Sequence, residues 1–253
     1  MAPRADAHPP THVLGWREPC GTRSVELAWR TWRVTISRVP LTGSALVETY
    51  DRASGRWSRG QRLLGYSCAY PELWAQVASD FGLERLPGGA QILDCGTGTG
   101  ALALALPEDL AARVRLHAMD RAFRMLARAS GELDRARRVA RLYQADARHL
   151  PFSDGVFDVV MSAHMLEHLP EPWVGLGEMV RVLRPQGLIL LVTTSANALE
   201  AALRLAWRYR TLEPNWMHNC LRRMGIIRLH TYRIGQTHHL ARCLSRAHVG
   251  IKE

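Results

Sequence analysis

Residues 92–100 read Ile-Leu-Asp-Cys-Gly-Thr-Gly-Thr-Gly, an apolar run that ends on Asp94 and is followed by glycines at 96, 98 and 100. Ala90 to Leu93 has the character of a buried parallel strand. Glycine after such a strand lets the chain turn sharply and brings backbone N–H groups close to a ligand, where a Cβ would collide. The apolar segment Ala101-Leu-Ala-Leu-Ala-Leu106 then opens a helix over the sheet. This is the layout of a nucleotide-cofactor loop. A dinucleotide loop places its third glycine three residues after the second. Here Gly100 comes two after Gly98, and Ala101 follows, so the spacing disfavours NAD.

Regular intervals follow. Residues 113–120 (Arg-Val-Arg-Leu-His-Ala-Met-Asp) alternate into a second strand ending on Asp120. A carboxylate there is placed to accept hydrogen bonds from both hydroxyls of a ribose; the alternative is the N-cap of the following helix. A third strand, Val139 to Gln144, delivers Asp146 and Ala147. Three carboxylates thus arrive at three successive strand ends, where open α/β sheets bind ligands. Leu150-Pro-Phe-Ser-Asp-Gly-Val-Phe-Asp-Val-Val-Met-Ser-Ala-His164 runs into a fourth strand. Met165-Leu-Glu-His-Leu-Pro170 leads to Met179–Val192, which reads as a helix, a Pro-Gly-type turn and a continuous apolar fifth strand.

The form D-x-G-x-G-x-G at 94–100 resembles motif I of the class I S-adenosylmethionine-dependent methyltransferases. Asp120-Arg-Ala-Phe-Arg-Met-Leu126 is similar to that family's D-x-S-x-x-M-L pattern, with Ala122 in place of serine, and residues 150–160 resemble its L-P-F-x-D-x-x-F-D-x-V passage. Gln186 departs from the pattern where a turn residue such as glycine is usual. The resemblance covers about residues 88–195. It implies an α/β fold with a Rossmann-like seven-stranded sheet, helices on both faces and S-adenosylmethionine as cofactor. By the same resemblance Asp94, Gly96, Thr97 and Gly98 hold the methionine end and Asp120 the ribose. Arg121 then presses on the adenine face, Asp146 and Ala147 read the adenine amino group and N1, and Ala163 and His164 line the pocket.

At 253 residues the chain suits one large α/β domain with helical additions, long enough for a core without disulfides. Five scattered cysteines (20, 68, 95, 220 and 243) with no C-x-x-C pair read as reduced thiols in a cytoplasmic protein. There is no signal-peptide pattern, and the apolar stretch near 187–194 is too short to cross a bilayer; peripheral membrane contact stays open. A formal charge of +10 invites a nucleic-acid reading. The excess is almost all arginine, with lysine only at Lys252, and it is dispersed apart from Arg135/Arg137/Arg138/Arg141 and Arg222/Arg223. No aromatic-basic platform accompanies it, so RNA is the weaker alternative. An acidic or lipid-bound acceptor explains the charge equally well, and oligomeric state is not set by the sequence.

Outside the core, residues 1–22 read as a loosely ordered tail, 23–85 as an N-terminal helical cover and 86–253 as the cofactor-binding core with C-terminal acceptor-side helices. Helical patterns fall at about 24–35, 44–58 and 71–84. Glu48-Thr-Tyr-Asp51 and Gly65-Tyr-Ser-Cys-Ala-Tyr-Pro-Glu-Leu-Trp74 resemble the cover of quinone-type C-methyltransferases, which makes Tyr50 a cofactor contact and Tyr66 an acceptor contact, against ordinary aromatic packing. Ala196 to Arg210 reads as a helix with Leu199, Leu203 and Trp207 on one stripe, Trp207 facing the acceptor. A helix at 216–224 and strands at 226–234 and 240–251 close the fold.

His164-Met-Leu-Glu-His168 admits three readings. H-x-x-E-H is a zinc protease pattern, but here it follows a methyltransferase-like strand without a third ligand in context. Quinone-pathway O-methyltransferases carry E-x-x-E-H at this place and hold a divalent metal with it; His164 replaces the first glutamate and removes a hard oxygen ligand. The preferred reading has no metal: His164 lines the cofactor pocket, His168 packs or hydrogen-bonds behind it, and either is the best-placed base by sequence. His218, His238 and His239 are distant alternatives. The expectation is a methyltransferase acting on a small apolar or aromatic acceptor, with RNA methylation or a non-catalytic cofactor-binding regulator as alternatives.

Overall fold

Ile92 and Leu93 are both fully buried yet pack into different cores, because successive strand residues point to opposite faces of a sheet covered on both sides. The structure, a computed structural model, describes residues 25–29, 32–36, 43–195, 211–235 and 245–253. Its main sheet has seven strands in the order β5-β4-β3-β6-β7-β9-β8. These are β3 (Gln91–Cys95), β4 (Arg115–Asp120), β5 (Ala140–Gln144), β6 (Phe157–Ala163), β7 (Leu183–Thr194), β8 (Ile226–Arg233) and β9 (Ser245–Lys252). The first five are parallel to one another, and β9 pairs antiparallel with both β7 and β8. Along β7, Leu188, Leu190 and Val192 join one core while Ile189 and Leu191 join the other, which is why this strand reads as an unbroken apolar run. The seven-stranded α/β sheet with helices on both faces is as the sequence implied.

One face carries α2 (Tyr66–Phe81), α3 (Ala101–Leu104) and α5 (Phe123–Arg135); the other carries α6 (Pro172–Val182) and α7 (Pro214–Arg223). The fully buried Trp74 ties α2 to α3 by donating its indole N–H to the Leu102 carbonyl at 3.2 Å. Helix α3 is short and ends at Leu104, ahead of Leu106, which precedes Pro107 and is pushed out of helical geometry. A short α4 (Glu108–Arg113) then occupies the start of the stretch read as strand, so β4 begins at Arg115.

The N-terminal cover is corrected in part. Residues 24–35, read as helical, contain two antiparallel strands, β1 (Val25–Trp29) and β2 (Trp32–Ile36), with Val25 opposite Ile36 and Trp29 opposite Trp32. Val25, Trp29, Trp32, Val34, Thr35 and Ile36 are β-branched or aromatic, types that lose side-chain freedom in a helix and fit a pleated strand. The other two helices are longer or earlier than expected. Helix α1 is Gly43–Leu63, and α2 begins at Tyr66, where Gly65 turns with φ 84°, rather than at Pro71, which lies inside it. The tail at 1–22, the helix expected at 196–210 with Trp207, and His238 and His239 lie outside the described residues.

The departure at Gln186 has a backbone counterpart. Its φ is +61°, a left-handed conformation that glycine adopts freely and other residues adopt at a cost. Gln186 is exposed, so its side chain offers little in return. Gln186→Gly is expected to stabilise the fold by about 1 kcal/mol, read as a higher urea midpoint at unchanged slope; an equal or lower midpoint would contradict this.

Candidate active site

The glycine loop leaves β3 with all three glycines left-handed, at φ 75°, 55° and 84° for Gly96, Gly98 and Gly100. Gly96 is the tightest: a Cβ there would sit 2.4 Å from Met165 Cγ, so the loop packs under the segment after β6 only because that atom is missing. The N–H groups of Gly96 and Thr97 both donate to the Met119 carbonyl, at 2.9 and 2.8 Å, and that of Gly98 donates to Asp120 Oδ2 at 2.8 Å. This corrects the expectation that the loop turns these donors toward a ligand. They are satisfied within the fold, so the loop is no phosphate cradle.

A cavity opens at the carboxyl ends of β3, β4, β5 and β6. Asp94, Gly96, Thr97 and Gly98 line it from the first, Asp120, Arg121 and Ala122 from the second, Asp146, Ala147 and Arg148 from the third, and Ala163, His164 and His168 from the fourth. Val47, Tyr50 and Gln61 of α1 and Tyr70 of α2 form its roof. Every residue given a cofactor role in the sequence therefore meets in one space. Tyr66 does not line it. Its hydroxyl lies 2.6 Å from Ser245 Oγ, its ring packs on Tyr70 and His164, and it borders a second cavity that shares Gln61 and Ala101 with the first.

The three carboxylates differ in their surroundings. Asp94 is buried and accepts a hydrogen bond from the Thr97 hydroxyl at 2.7 Å. Burial, opposed by that hydroxyl and reinforced by the charge of Asp120, pushes its pKa up to about 7. Asp120 accepts the Gly98 N–H on one oxygen and the Ala122 N–H on the other, both at 2.8 Å, and the Arg121 N–H is a further backbone donor to it. Burial still carries its carboxyl above the ordinary value. Asp120 is not the N-cap of α5. Ala122 occupies that position, and Asp51 of α1 reaches over to accept the Arg124 N–H at 3.0 Å. Asp146 is gripped by Arg148, Nε to Oδ1 at 3.1 Å and Nη2 to Oδ2 at 2.8 Å, which holds its carboxyl below the usual range against the pull of burial. Arg121 lies 3.5 Å from the same carboxylate. Arg148 was not singled out from sequence; an adenine amino group approaching Asp146 must share an oxygen with it.

His164 follows β6 with φ +55°, a strained conformation for a side-chain-bearing residue and one that collects at functional sites. Its ring is held on both nitrogens: Nδ1 lies 3.2 Å from Thr194 Oγ1 and Nε2 3.4 Å from Ser245 Oγ. Glu167 is buried beside it, with Oε2 3.8 Å from Nδ1 and Oε1 accepting the Thr194 N–H. Burial drives the Glu167 carboxyl up, but His164 and the Thr194 N–H outweigh it and leave it below the usual range. His168 pairs through Nε2 with the Tyr50 hydroxyl at 2.7 Å, and burial lowers its pKa to about 4, opposed by the charge of Glu167. Adjacent residues of α1 thus fasten the roof at two points, Tyr50 to His168 and Asp51 to the start of α5. His218 lies away from this cavity, hydrogen-bonded to Thr231. Among the described residues no cluster of three or more His, Cys, Asp or Glu is arranged to hold a metal, and no helix is long and apolar enough to cross a membrane.

Known proteins resemble this chain in sequence and in fold. Residues 93–191 match the family model of a methyltransferase domain. A demethylmenaquinone methyltransferase of Thermus thermophilus is 39% identical over 143 residues, 56% of this chain and 63% of that protein, so the chain spans under two thirds of this relative's length. Among solved structures, the [4+2]-cyclase SpnF aligns with a TM-score of 0.65 at 18% identity, covering 85% of this chain and 97% of that one. Magnesium protoporphyrin IX methyltransferase from Synechocystis PCC 6803, solved with S-adenosylhomocysteine bound, aligns at 0.63 and 14%, covering 82% and 99%. With the glycine loop, the three strand-end carboxylates and the strand order in place, the chain resembles a methyltransferase domain over residues 93–191 and shares the fold of S-adenosylmethionine-dependent methyltransferases.

Proposed function

We propose that this protein moves the methyl group of S-adenosylmethionine onto a small apolar or aromatic acceptor of the quinone or natural-product type, in the cytoplasm. The observation that carries this reading is the single cavity in which Asp94, Asp120 and Asp146 stand at three strand ends beneath Tyr50 and Tyr70. The cofactor fits what lines it. A cationic amino-acid end suits Asp94, whose buried carboxyl accepts a hydrogen bond from the Thr97 hydroxyl, faces the like charge of Asp120 and is pushed toward neutrality. The inward-turned loop N–H groups suit a ligand without a phosphate at that end. The name of the Thermus relative supports a quinone-type acceptor.

When bound, S-adenosylmethionine supplies an electrophilic methyl group. The chain's task is to hold an acceptor in line with that group and keep water out. Val47, Tyr50 and Tyr70 close the roof with largely apolar surface. His164, fixed on both ring nitrogens, shapes the wall next to the methionine end. Burial keeps His168 uncharged at neutral pH, so its Nε2 can pair with the Tyr50 hydroxyl and fix that phenol as a polar contact for the acceptor. Tyr50→Phe is therefore expected to lower turnover about tenfold, the size of one lost hydrogen bond to the acceptor, while cofactor affinity changes by less than about threefold. Equal losses in both would place Tyr50 in binding alone.

The reading is tested by incubating the protein with S-adenosylmethionine and a panel of reduced quinones and phenols, with mass spectrometry for the addition of one methyl group. Cofactor binding without transfer to any acceptor would favour a regulatory binding protein, a live alternative given that a cyclase shares the fold. Affinity for RNA that falls steeply with salt would favour RNA methylation. Transfer is expected to persist in EDTA; loss restored by a divalent cation would assign His164, Glu167 and His168 to a metal.

A further inference from the structure

Helix α2 buries three large aromatic side chains with a polar atom, and two of them are satisfied. Trp74 donates to the Leu102 carbonyl, and Tyr66 is paired with Ser245. The third, Tyr70, is 1% exposed, and its hydroxyl has no hydrogen-bond partner among the described residues. A buried hydroxyl left in this state lowers stability. Nothing in packing demands it, since phenylalanine fills the same volume. Tyr70 lines the cavity together with Asp94, Gly96, Leu102 and His164, and Asp94 is among the charged groups that act on its hydroxyl.

The charges around this hydroxyl have one sign. Burial first, and then Tyr66 and the Asp94 and Glu167 carboxylates, hold its pKa well above the ordinary phenol value, so it stays neutral with its lone pairs available. With the Gly96, Thr97 and Gly98 N–H groups turned inward, this corner offers acceptors to a ligand. It is suited to a hydrogen-bond-donating cation. The amino-acid end of S-adenosylmethionine carries an ammonium group; adenosine does not.

We propose that Tyr70 is a cofactor-contacting residue whose phenol oxygen accepts a hydrogen bond from the ammonium group of the methionine end. This rests on the cofactor reading above and adds a specificity-determining contact to it. Calorimetric titration and thermal denaturation of the full chain test it, with S-adenosylhomocysteine and 5′-methylthioadenosine as probes, the second keeping the adenosine and thioether but lacking the amino-acid end. Tyr70→Phe is expected to weaken S-adenosylhomocysteine about tenfold and methylthioadenosine less than about twofold. Without ligand, the variant is expected to melt about 2–4 °C higher, because the unpaired hydroxyl is gone. Unchanged S-adenosylhomocysteine affinity, equal losses for both probes, or a lower ligand-free melting point would overturn the proposal. Wild-type protein that binds neither probe would overturn the cofactor reading itself, whereas wild type binding both with Tyr70→Phe unaltered removes Tyr70 alone.

Discussion

Asp120→Ala is expected to reduce affinity for S-adenosylmethionine about a hundredfold, roughly 3 kcal/mol. The carboxylate has two duties that fail together. Its oxygens accept backbone N–H groups, from Gly98 on one and Ala122 on the other with Arg121 as a further donor, and under the proposed function it also receives the ribose hydroxyls. Alanine leaves the ribose without acceptors and also releases the glycine loop from the end of β4. Asp120→Asn keeps one acceptor oxygen and should fall between wild type and alanine. Isothermal calorimetry of the three proteins decides the matter. An alanine variant within about threefold of wild type would show that Asp120 only braces the loop.

The parts of this site that could be read from sequence are those encoded locally. Asp94 to Gly100 is a contiguous string whose glycines are all left-handed in the structure, so backbone need and residue type coincide. Asp120 and Asp146 could be found because an alternating run must end somewhere, and in a parallel sheet its end is where ligands bind. Gln186 was visible for a related reason: a position that wants glycine shows when it holds something else.

What escaped depends on partners distant in the chain. Asp51 meets the Arg124 N–H across 73 residues, and Ser245 meets His164 across 81. No local pattern marks such pairs. Arg148 was hidden for the opposite reason. It lies two residues after Asp146, in a chain so rich in arginine that one more carries no signal, yet it takes up most of the carboxylate's hydrogen-bonding capacity. Tyr70 could be seen as an aromatic of the cover, but whether its hydroxyl is paired depends on what α2 packs against. The β1–β2 pair was misread because apolar residues in 24–35 satisfy a helical spacing as well as an alternating one, and only strand pairing separates the two.

Cofactor affinity is expected to fall as the pH is lowered through 7, by about 25-fold between pH 7.5 and 5.5, if Asp94 must be ionised to receive a cationic ligand. Its carboxyl is raised to about 7 in the ligand-free protein, chiefly by burial. Below that value the site is mostly protonated, and binding a cation beside it requires a proton to leave. The sign for folding is the reverse. A carboxyl raised in the folded state binds more protons there than in the unfolded chain, so between about pH 4 and 7 this group costs stability as the pH rises. Ligand and proton thus oppose each other at Asp94: the protein should be relatively more stable on the acid side when empty and gain most from the cofactor on the alkaline side. Titrations at a series of pH values, repeated on Asp94→Asn, measure both effects. The variant has no proton to lose and should bind weakly with a flat profile over this range; a profile as steep as that of wild type would assign the dependence to Asp120 instead, the other carboxyl that burial raises in this cavity.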